Sequence, residues 1–247
     1  MKLLGKVALV TGGSRGIGYA TAKILSENGA IVILTSKNQE RLEKSASEIL
    51  NTIGITADIR KTNDVKNVVK KIIEKFGKLD ILVNNAGIFP KIKQLHEINE
   101  DEWNEVLDVN LTGQFRFTKE AIPYLQKTSG SIINISSDAG LKAYQGFNAD
   151  AYSASKAALI LLTKCWALEY AKDKIRVNCI CPGVVDTDMT KPFLKTQNDK
   201  EFMDKEHPIG RIGQPQEIGK AVLYFASDDA SWTTGAVLAV DGGESIK

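Results

Sequence analysis

The chain is poor in the residues that build metal and redox centres: its 247 residues include only three cysteines and two histidines. Cys165, Cys179 and Cys181 form no CxxC pair and no disulfide framework, and the two-residue spacing of Cys179 and Cys181 puts them on one side of a strand. All three are expected to be small buried hydrophobes. His96 and His207 have no second histidine or acid at ligand spacing, so no metal site is predicted. Neither sign of charge is in excess. Lys and Arg number 32 against 30 Asp and Glu, a net +2 that gives no reason to expect a nucleic-acid partner. No run of 18 residues is free of charge, and the longest candidate, Ala157–Ala171, is broken by Lys164 and Glu169, so no membrane span is expected. The stretch Met1–Lys6 has too short an apolar part and no cleavage pattern for a secretory signal, which predicts a cytoplasmic protein. Repeats, low-complexity tracts and Pro/Gly/Ser linkers are missing as well, so residues 1–247 read as one domain.

What the chain does have is alternation. Short β-branched runs at Val7–Val10, Ile31–Thr35, Ile55–Ile59, Ile81–Asn84, Ile132–Ser136, Ile175–Ile180 and Ala236–Val240 read as seven buried strands. Helical patterns fall between them, at 16–28, 39–51, 64–76, 101–127, 151–171 and 215–227, several closed by a glycine such as Gly29 or Gly77. Such βαβ alternation predicts an α/β fold, a doubly wound parallel sheet with helices on both faces. The stretch Asp186–Gln214 shows no clear element, and in a compact domain a segment of that length is expected to be a lid or binding loop.

The first strand runs into Thr11-Gly12-Gly13-Ser14-Arg15-Gly16-Ile17-Gly18. A turn from strand to helix leaves backbone N–H groups pointing outward at a positive helix end, and glycines let a phosphate approach them. The spacing is GxxxGxG rather than GxGxxG, but the mechanics are the same and predict a dinucleotide site. Its identity depends on the end of the second strand, Ile33-Leu34-Thr35-Ser36-Lys37-Asn38, where NAD-selective proteins place a carboxylate for the ribose 2′-hydroxyl. There is none here. Ser36 can donate to a 2′-phosphate while Lys37 and Arg15 supply charge, which predicts NADP(H).

With these motifs in view, the sequence resembles the short-chain dehydrogenase/reductase family over nearly its whole length. The glycine loop is similar to that family's cofactor loop, Asn84-Asn85-Ala86-Gly87 to its motif after the fourth strand, and Tyr152-Ser153-Ala154-Ser155-Lys156 to its YxxxK element. Cys181-Pro182-Gly183 through Thr187 resembles PGxxxT, and Val240-Asp241-Gly242-Gly243 the usual last strand and turn. The resemblance implies a Rossmann-type fold and cofactor contacts from Gly12, Ser14, Arg15, Gly16, Ile17, Gly18, Ser36, Lys37, Asp58, Ile59, Asn85, Ala86, Gly87, Tyr152, Lys156, Pro182, Gly183, Val185 and Thr187. Asp58, read as the end of the third strand, matches the family's adenine contact, and Asn85 is expected to bond neighbouring backbone. The resemblance also implies a homo-oligomer, a dimer or homotetramer in which helices near 101–127 and 151–171 pair across a two-fold axis.

Hydride transfer to a carbonyl builds alkoxide character on oxygen, so the site needs a proton donor and a hydrogen-bonding group at that oxygen. Tyr152 can supply the proton, and Lys156, one helical turn on, is expected to draw the phenol pKa down. Ser137 is the candidate to polarise the carbonyl, favoured because Gly140 follows it by three residues; Ser136 competes for the role. Asn110 matches the family residue that bends its helix and holds a water in a relay to the lysine. The catalytic set is therefore Asn110, Ser137, Tyr152 and Lys156.

The substrate site is expected between Gly87–Leu95, Asp138–Ala151 and a loop at 188–210, with Phe89, Leu141, Tyr144, Phe147, Met189, Phe193, Phe202 and Met203 lending a partly apolar pocket. The reading is an NADP(H)-dependent carbonyl reductase or alcohol dehydrogenase acting on a small free molecule. Alternatives are a 3-oxoacyl-carrier-protein reductase, a sugar, polyol or steroid dehydrogenase, and a non-catalytic dinucleotide-binding protein.

Overall fold

Alternate residues of β1 (Val7–Thr11) serve opposite sides of the sheet, and this two-sided burial organises the protein. Ala8 and Val10 belong to one apolar cluster and Val7 and Leu9 to another, both fully covered, as a strand with helices on each face requires. A computed structural model describes residues 1–247. Its seven strands, β1, β2 (Ile31–Ser36), β3 (Thr52–Thr56), β4 (Ile81–Asn84), β5 (Ser131–Ile135), β6 (Arg176–Pro182) and β7 (Val237–Val240), form one sheet in the order β3-β2-β1-β4-β5-β6-β7. Every pairing is parallel. The order reverses between β1 and β4, where Val10 lies beside Leu34 on one side and Val83 on the other. Ligands of open parallel sheets bind at such switch points, beyond the carboxyl ends of the strands.

Helices α1 (Gly16–Glu27), α2 (Gln39–Ser47) and α8 (Pro215–Ala226) cover one face, through Leu25, Leu42, Val222 and Phe225. Helices α3 (Thr62–Phe76), α5 (Gly113–Thr128) and α6 (Asp150–Glu169) cover the other, through Val68, Ile72, Phe117, Leu159 and Trp166. No helix is long and apolar enough to cross a membrane.

Four expectations need correction. The third strand starts at Thr52, three residues before the expected Ile55, and its register is fixed by Val32 opposite Thr52. It is an edge strand with no fully buried residue, so its apolar content is low, and Asp58 lies beyond its end. The expected helix 101–127 is two helices, α4 (Glu100–Leu107) and α5, joined by a π-turn at Asp108–Thr112. The stretch assigned no element contains α7 (Gln197–Glu206), capped by Thr196, whose Oγ1 accepts from the Asp199 amide while the Asp199 carboxylate accepts from the Thr196 amide. None of its residues is buried, so apolar periodicity could not reveal it. Cys165 is exposed rather than buried, because it occupies the outward side of α6. Cys179 and Cys181 are buried on β6 with their sulfurs 4.0 Å apart.

Candidate functional site

The turn from β1 into α1 is built by close backbone approach. Gly12 has φ +64°, and a Cβ there would stand 2.8 Å from the Ala86 Cα. Gly16, at φ +54°, also requires the left-handed region that other residues avoid. Asn85 holds the turn from β4: its Nδ2 donates to the carbonyls of Thr11 (2.8 Å) and Gly12 (3.2 Å). Thr11 Oγ1 in return accepts from the amides of Asn85 and Ala86 at 2.9 and 3.0 Å. The Arg15 position capping α1 makes no side-chain capping bond, and no acidic residue lies in the first turn. Its free amides and positive helix end suit an anion, so the residues present fit a dinucleotide pyrophosphate.

Beside this turn the end of β2 carries no carboxylate. Ser36 Oγ accepts from Ser14 Oγ at 3.1 Å and from the Asn38 amide at 3.3 Å. Lys37 follows it, and Arg15 reaches Asp188 at 3.4 Å. Asp58 is gripped by Arg60, whose Nε and Nη2 donate to Oδ1 at 3.0 Å and Oδ2 at 2.7 Å. That side-chain bond, above all, holds its carboxyl at a pKa of about 2. The sequence reading missed Arg60 and Asp188; the Asp-x-Arg spacing at 58–60 was the available signal for the first, and nothing local marked the second.

The catalytic candidates come from three other elements. Tyr152 and Lys156 sit one turn apart on α6, both buried. Lys156 Nζ donates to the Ile135 carbonyl at 2.9 Å and stands 5.6 Å from the Tyr152 ring centroid. Burial pushes the Tyr152 phenol up to about 12, against the pull of the Ser137 hydroxyl, and pushes the Lys156 ammonium down to about 8. The Lys156 ammonium is aimed at a strand carbonyl, and burial raises the phenol where a lowering was expected.

Ser136 and Ser137 diverge at the end of β5. Ser136 Oγ donates to the Lys156 carbonyl at 2.8 Å, fastening α6 to the sheet. Ser137 Oγ donates to Asp138 Oδ1 at 2.8 Å and accepts from the Ala139 amide at 3.2 Å. Gly140 lets this turn lie against α6: a Cβ there would be 2.8 Å from the Lys156 carbonyl carbon. Asn110, fully buried in the π-turn, accepts from the Ile88 amide at 2.8 Å and donates to the Ile88 carbonyl at 3.0 Å. The extra residue of the π-turn rotates its amide inward, a placement frequent at functional sites.

All the cofactor candidates, from Gly12 to Thr187, line one cleft of about 290 Å³ together with Ser137. Asn110 lies behind its wall. The sequence reading also missed Ile88, Met189 as a cleft residue rather than a substrate contact, and Thr190, whose Oγ1 donates to the Val185 carbonyl at 2.6 Å. Above Tyr152 the cleft opens on an aromatic box. Phe89 meets the Tyr152 ring at 4.9 Å, Phe147 at 5.6 Å and Phe193 at 5.4 Å, all edge to face. Tyr144 stands 6.1 Å from Phe147. Phe202 and Leu141 are exposed, and Met203 on α7 is half-buried.

Known proteins resemble this chain over nearly its whole length. A family model described as enoyl-(acyl carrier protein) reductase matches residues 12–245. A 3-oxoacyl-[acyl-carrier-protein] reductase of Thermotoga maritima is 38% identical, over 98% of this chain and 99% of its own. An L-fucose dehydrogenase of Bos taurus is 36% identical, over 98% of this chain and 90% of its own. Among solved structures, a short-chain type dehydrogenase/reductase from Mycobacterium marinum superposes with a TM-score of 0.93 at 31% identity, covering 98% of this chain and 96% of that one.

Proposed function

Because the chain belongs to the short-chain dehydrogenase/reductase family, oxidoreductases that interconvert C=O and CH–OH with a nicotinamide cofactor, we propose that it is an NADP(H)-dependent carbonyl reductase for small, apolar-faced substrates. The cofactor supplies or accepts the hydride. The observation that carries the reading is the position of Tyr152, buried where the dinucleotide cleft meets the aromatic box and adjoining Ser137.

Each residue then has a task on this chain. The Gly12–Gly18 turn and the α1 amides hold the pyrophosphate, and Arg15, Ser36 and Lys37 hold a 2′-phosphate. Ser137 donates to the substrate oxygen, and Tyr152 gives it the proton in reduction and takes it back in oxidation. Lys156, with a pKa of about 8, exchanges protons near neutrality and can replenish the phenol, with Asn110 fixing the chain at Ile88 behind it. The loop at 188–210, α7 included, closes the substrate side through Phe193.

The box favours ketones over sugars, since its aromatic edges offer few partners for a row of hydroxyls. Outward apolar residues on the paired-helix face, Phe115 on α5 and Leu161 and Leu168 on α6, are 45, 63 and 81% exposed and support a homo-oligomer, dimer or tetramer.

The test is NADPH consumption with simple diketones and ketoesters, with aldoses, and with one 3-oxoacyl group carried either on acyl carrier protein or on a short thiol. Simple ketones winning supports the proposal. A second reading, a carrier-protein reductase, follows from the Thermotoga relative. Asp173 between Lys172 and Lys174, and acids interleaved with Lys191, Lys195, Lys200 and Lys205, give no basic docking patch for an acidic carrier. A carrier-bound substrate preferred by more than about tenfold in kcat/KM, with the preference lost in high salt, replaces our reading.

A further inference from the structure

The turn Glu244–Ile246 after β7 ties together two segments that wall the substrate side, and the reaction described above makes no use of it. Lys142, on the loop after β5, donates from Nζ to the Glu244 carbonyl at 2.8 Å and lies over the Tyr144 ring at 4.8 Å. From the loop at 188–210, the Ile209 amide donates to the Gly242 carbonyl at 3.1 Å, and a Cβ on Gly243 would stand 3.1 Å from the Pro208 side chain. Beside these contacts lies His207, which ends α7 and is only 2% exposed, with Nε2 3.0 Å from Glu244 Oε2.

The two ring nitrogens have different neighbours. Nδ1 is 2.7 Å from the Met203 carbonyl, which can only accept, so this nitrogen carries a hydrogen in both charge states of the ring. Titration is thereby confined to Nε2. There the Val184 amide, 3.3 Å away, can donate only to a bare nitrogen, whereas Glu244 Oε2 needs a nitrogen that bears a proton. Oε2 is buried and has no hydrogen-bond donor elsewhere. A neutral ring keeps the amide bond and strands a buried carboxylate, while a charged ring satisfies the carboxylate and gives up that bond. The stranded charge is the more costly of the two.

We propose that His207 and Glu244 are a positioning pair for the substrate site: with a proton on Nε2 they clasp α7 to the turn after β7, and when that proton leaves the clasp loosens. The effect on substrate rests on the carbonyl-reductase reading. Burial lowers the His207 imidazole, but its bonds to Glu244 and Met203 and the charges of Glu244 and Asp138 outweigh this and raise it above its ordinary 6.5. Burial raises Glu244, and the His207 bond and charge bring it below its ordinary value. Asp138, in the turn after β5, is itself raised to about 6, first by burial and then by the Glu244 charge, and Asp241, just after β7, adds a further negative charge. Tyr144 donates to Asp138 at 2.9 Å, and Lys142 is the cation on that loop. On α7 itself, Asp204 accepts from the Ile212 amide at 2.8 Å, Glu206 pairs with Lys247 at 3.3 Å, and the Lys205 carbonyl accepts from Lys247 Nζ at 3.5 Å. A raised folded pKa gives stability that is complete below pH 6.5 and is lost as the pH rises through the folded value, so the clasp is shut in mild acid.

The experiment compares the full-length wild type with Glu244→Gln, whose amide can donate to a bare Nε2 and so keeps the contact without a titration. Proton NMR follows the two histidines, with His96→Gln to assign them. His207 should titrate above 6.5 in wild type and at lower pH in Glu244→Gln. Amide exchange over 197–206, corrected for intrinsic rates, is then measured at pH 5.5 and 8.5. Protection should fall about tenfold across that range in wild type, the scale of one charge-assisted hydrogen bond, and stay level in Glu244→Gln. His207→Gln, which cannot titrate, should likewise show no difference between the two pH values. Finally, the wild-type to Glu244→Gln ratio of KM for a ketone should rise about tenfold over the same range with the kcat ratio unchanged, since Lys156 and Tyr152 titrate alike in both. A His207 midpoint at or below 6.5, wild-type protection that is level, a pH effect that persists in His207→Gln, or a flat KM ratio in an active enzyme overturns the proposal. The NMR and exchange arms need no turnover, so an enzyme inactive on every ketone would count against the functional reading alone.

Discussion

The Lys156 ammonium stands 5.6 Å from the centre of the Tyr152 ring and donates to the Ile135 carbonyl at 2.9 Å, and both groups are buried in one wall of the cleft. Their buried state sets opposite pH signatures. The folded protein holds Lys156 at about 8 against its ordinary value of 10.5, so it binds fewer protons there than the unfolded chain between those pH values. Stability from this group therefore rises as the pH climbs from about 8 to 10.5. Lys156→Met should flatten that rise in denaturant midpoints taken across the window, and a slope equal to wild type would contradict the buried, depressed ammonium. Tyr152 acts oppositely: with its folded value raised to about 12, its contribution is present below pH 10 and lost as the pH rises through about 12.

Deleting one hydroxyl separates chemistry from binding. Tyr152→Phe should lose at least 100-fold in kcat, within the roughly 10²–10⁴-fold range of general acid catalysis, while NADPH affinity stays within about twofold. Retention of more than about a tenth of wild-type turnover would remove Tyr152 from the role of acid.

The neighbouring serines should part company. Ser137→Ala is expected to cut kcat by about 10²-fold with little change in melting, as loss of a carbonyl donor does. Ser136→Ala loses its bond to the Lys156 carbonyl and should cost about 1 kcal/mol of stability with a smaller loss of turnover. Stability and steady-state measurements on the two variants decide it; the reverse pattern would exchange their roles.

Cofactor choice should follow the end of β2. NADPH at 100 times its Kd stabilises by about 2.7 kcal/mol, so melts with NADPH and NADH at equal concentration should separate clearly. Ser36→Asp places a carboxylate beside the ribose and should invert the order. Equal shifts in wild type would exclude a 2′-phosphate site at Arg15, Ser36 and Lys37.

Phe89 touches Tyr152, Phe147 and Phe193 at once, so Phe89→Ala should open the box. Phe-to-Ala truncations at packed sites cost about 3–5 kcal/mol. We expect KM for apolar ketones to rise at least tenfold with a smaller change in kcat. An unchanged KM would place the substrate elsewhere in the cleft.

Much of the fold was legible because its signals are local. The β1 run Val7–Val10 is buried on both sides and carries a continuous apolar sequence, and the glycines of the next turn are demanded by positive φ and by the nearness of Ala86. The edge strand β3 was misplaced because half-exposed Thr52–Thr56 looks less like a strand than the more apolar residues after it. Helix α7 escaped because it buries nothing, although Thr196 and Asp199 spelled its cap.

The sequence by itself determined the strand and helix alternation, the dinucleotide turn and the residue types that line the cleft, since each is read from spacing along a few turns of chain. Tertiary structure alone decided that Ser136 bonds to α6 while Ser137 faces Asp138, that Arg60 claims Asp58, and that His207 meets Glu244. Those relations depend on where distant segments come to rest, and on which groups then lose their water together. The shifts of Lys156, Tyr152 and Asp138 arise from that shared desolvation, which no spacing in the chain records.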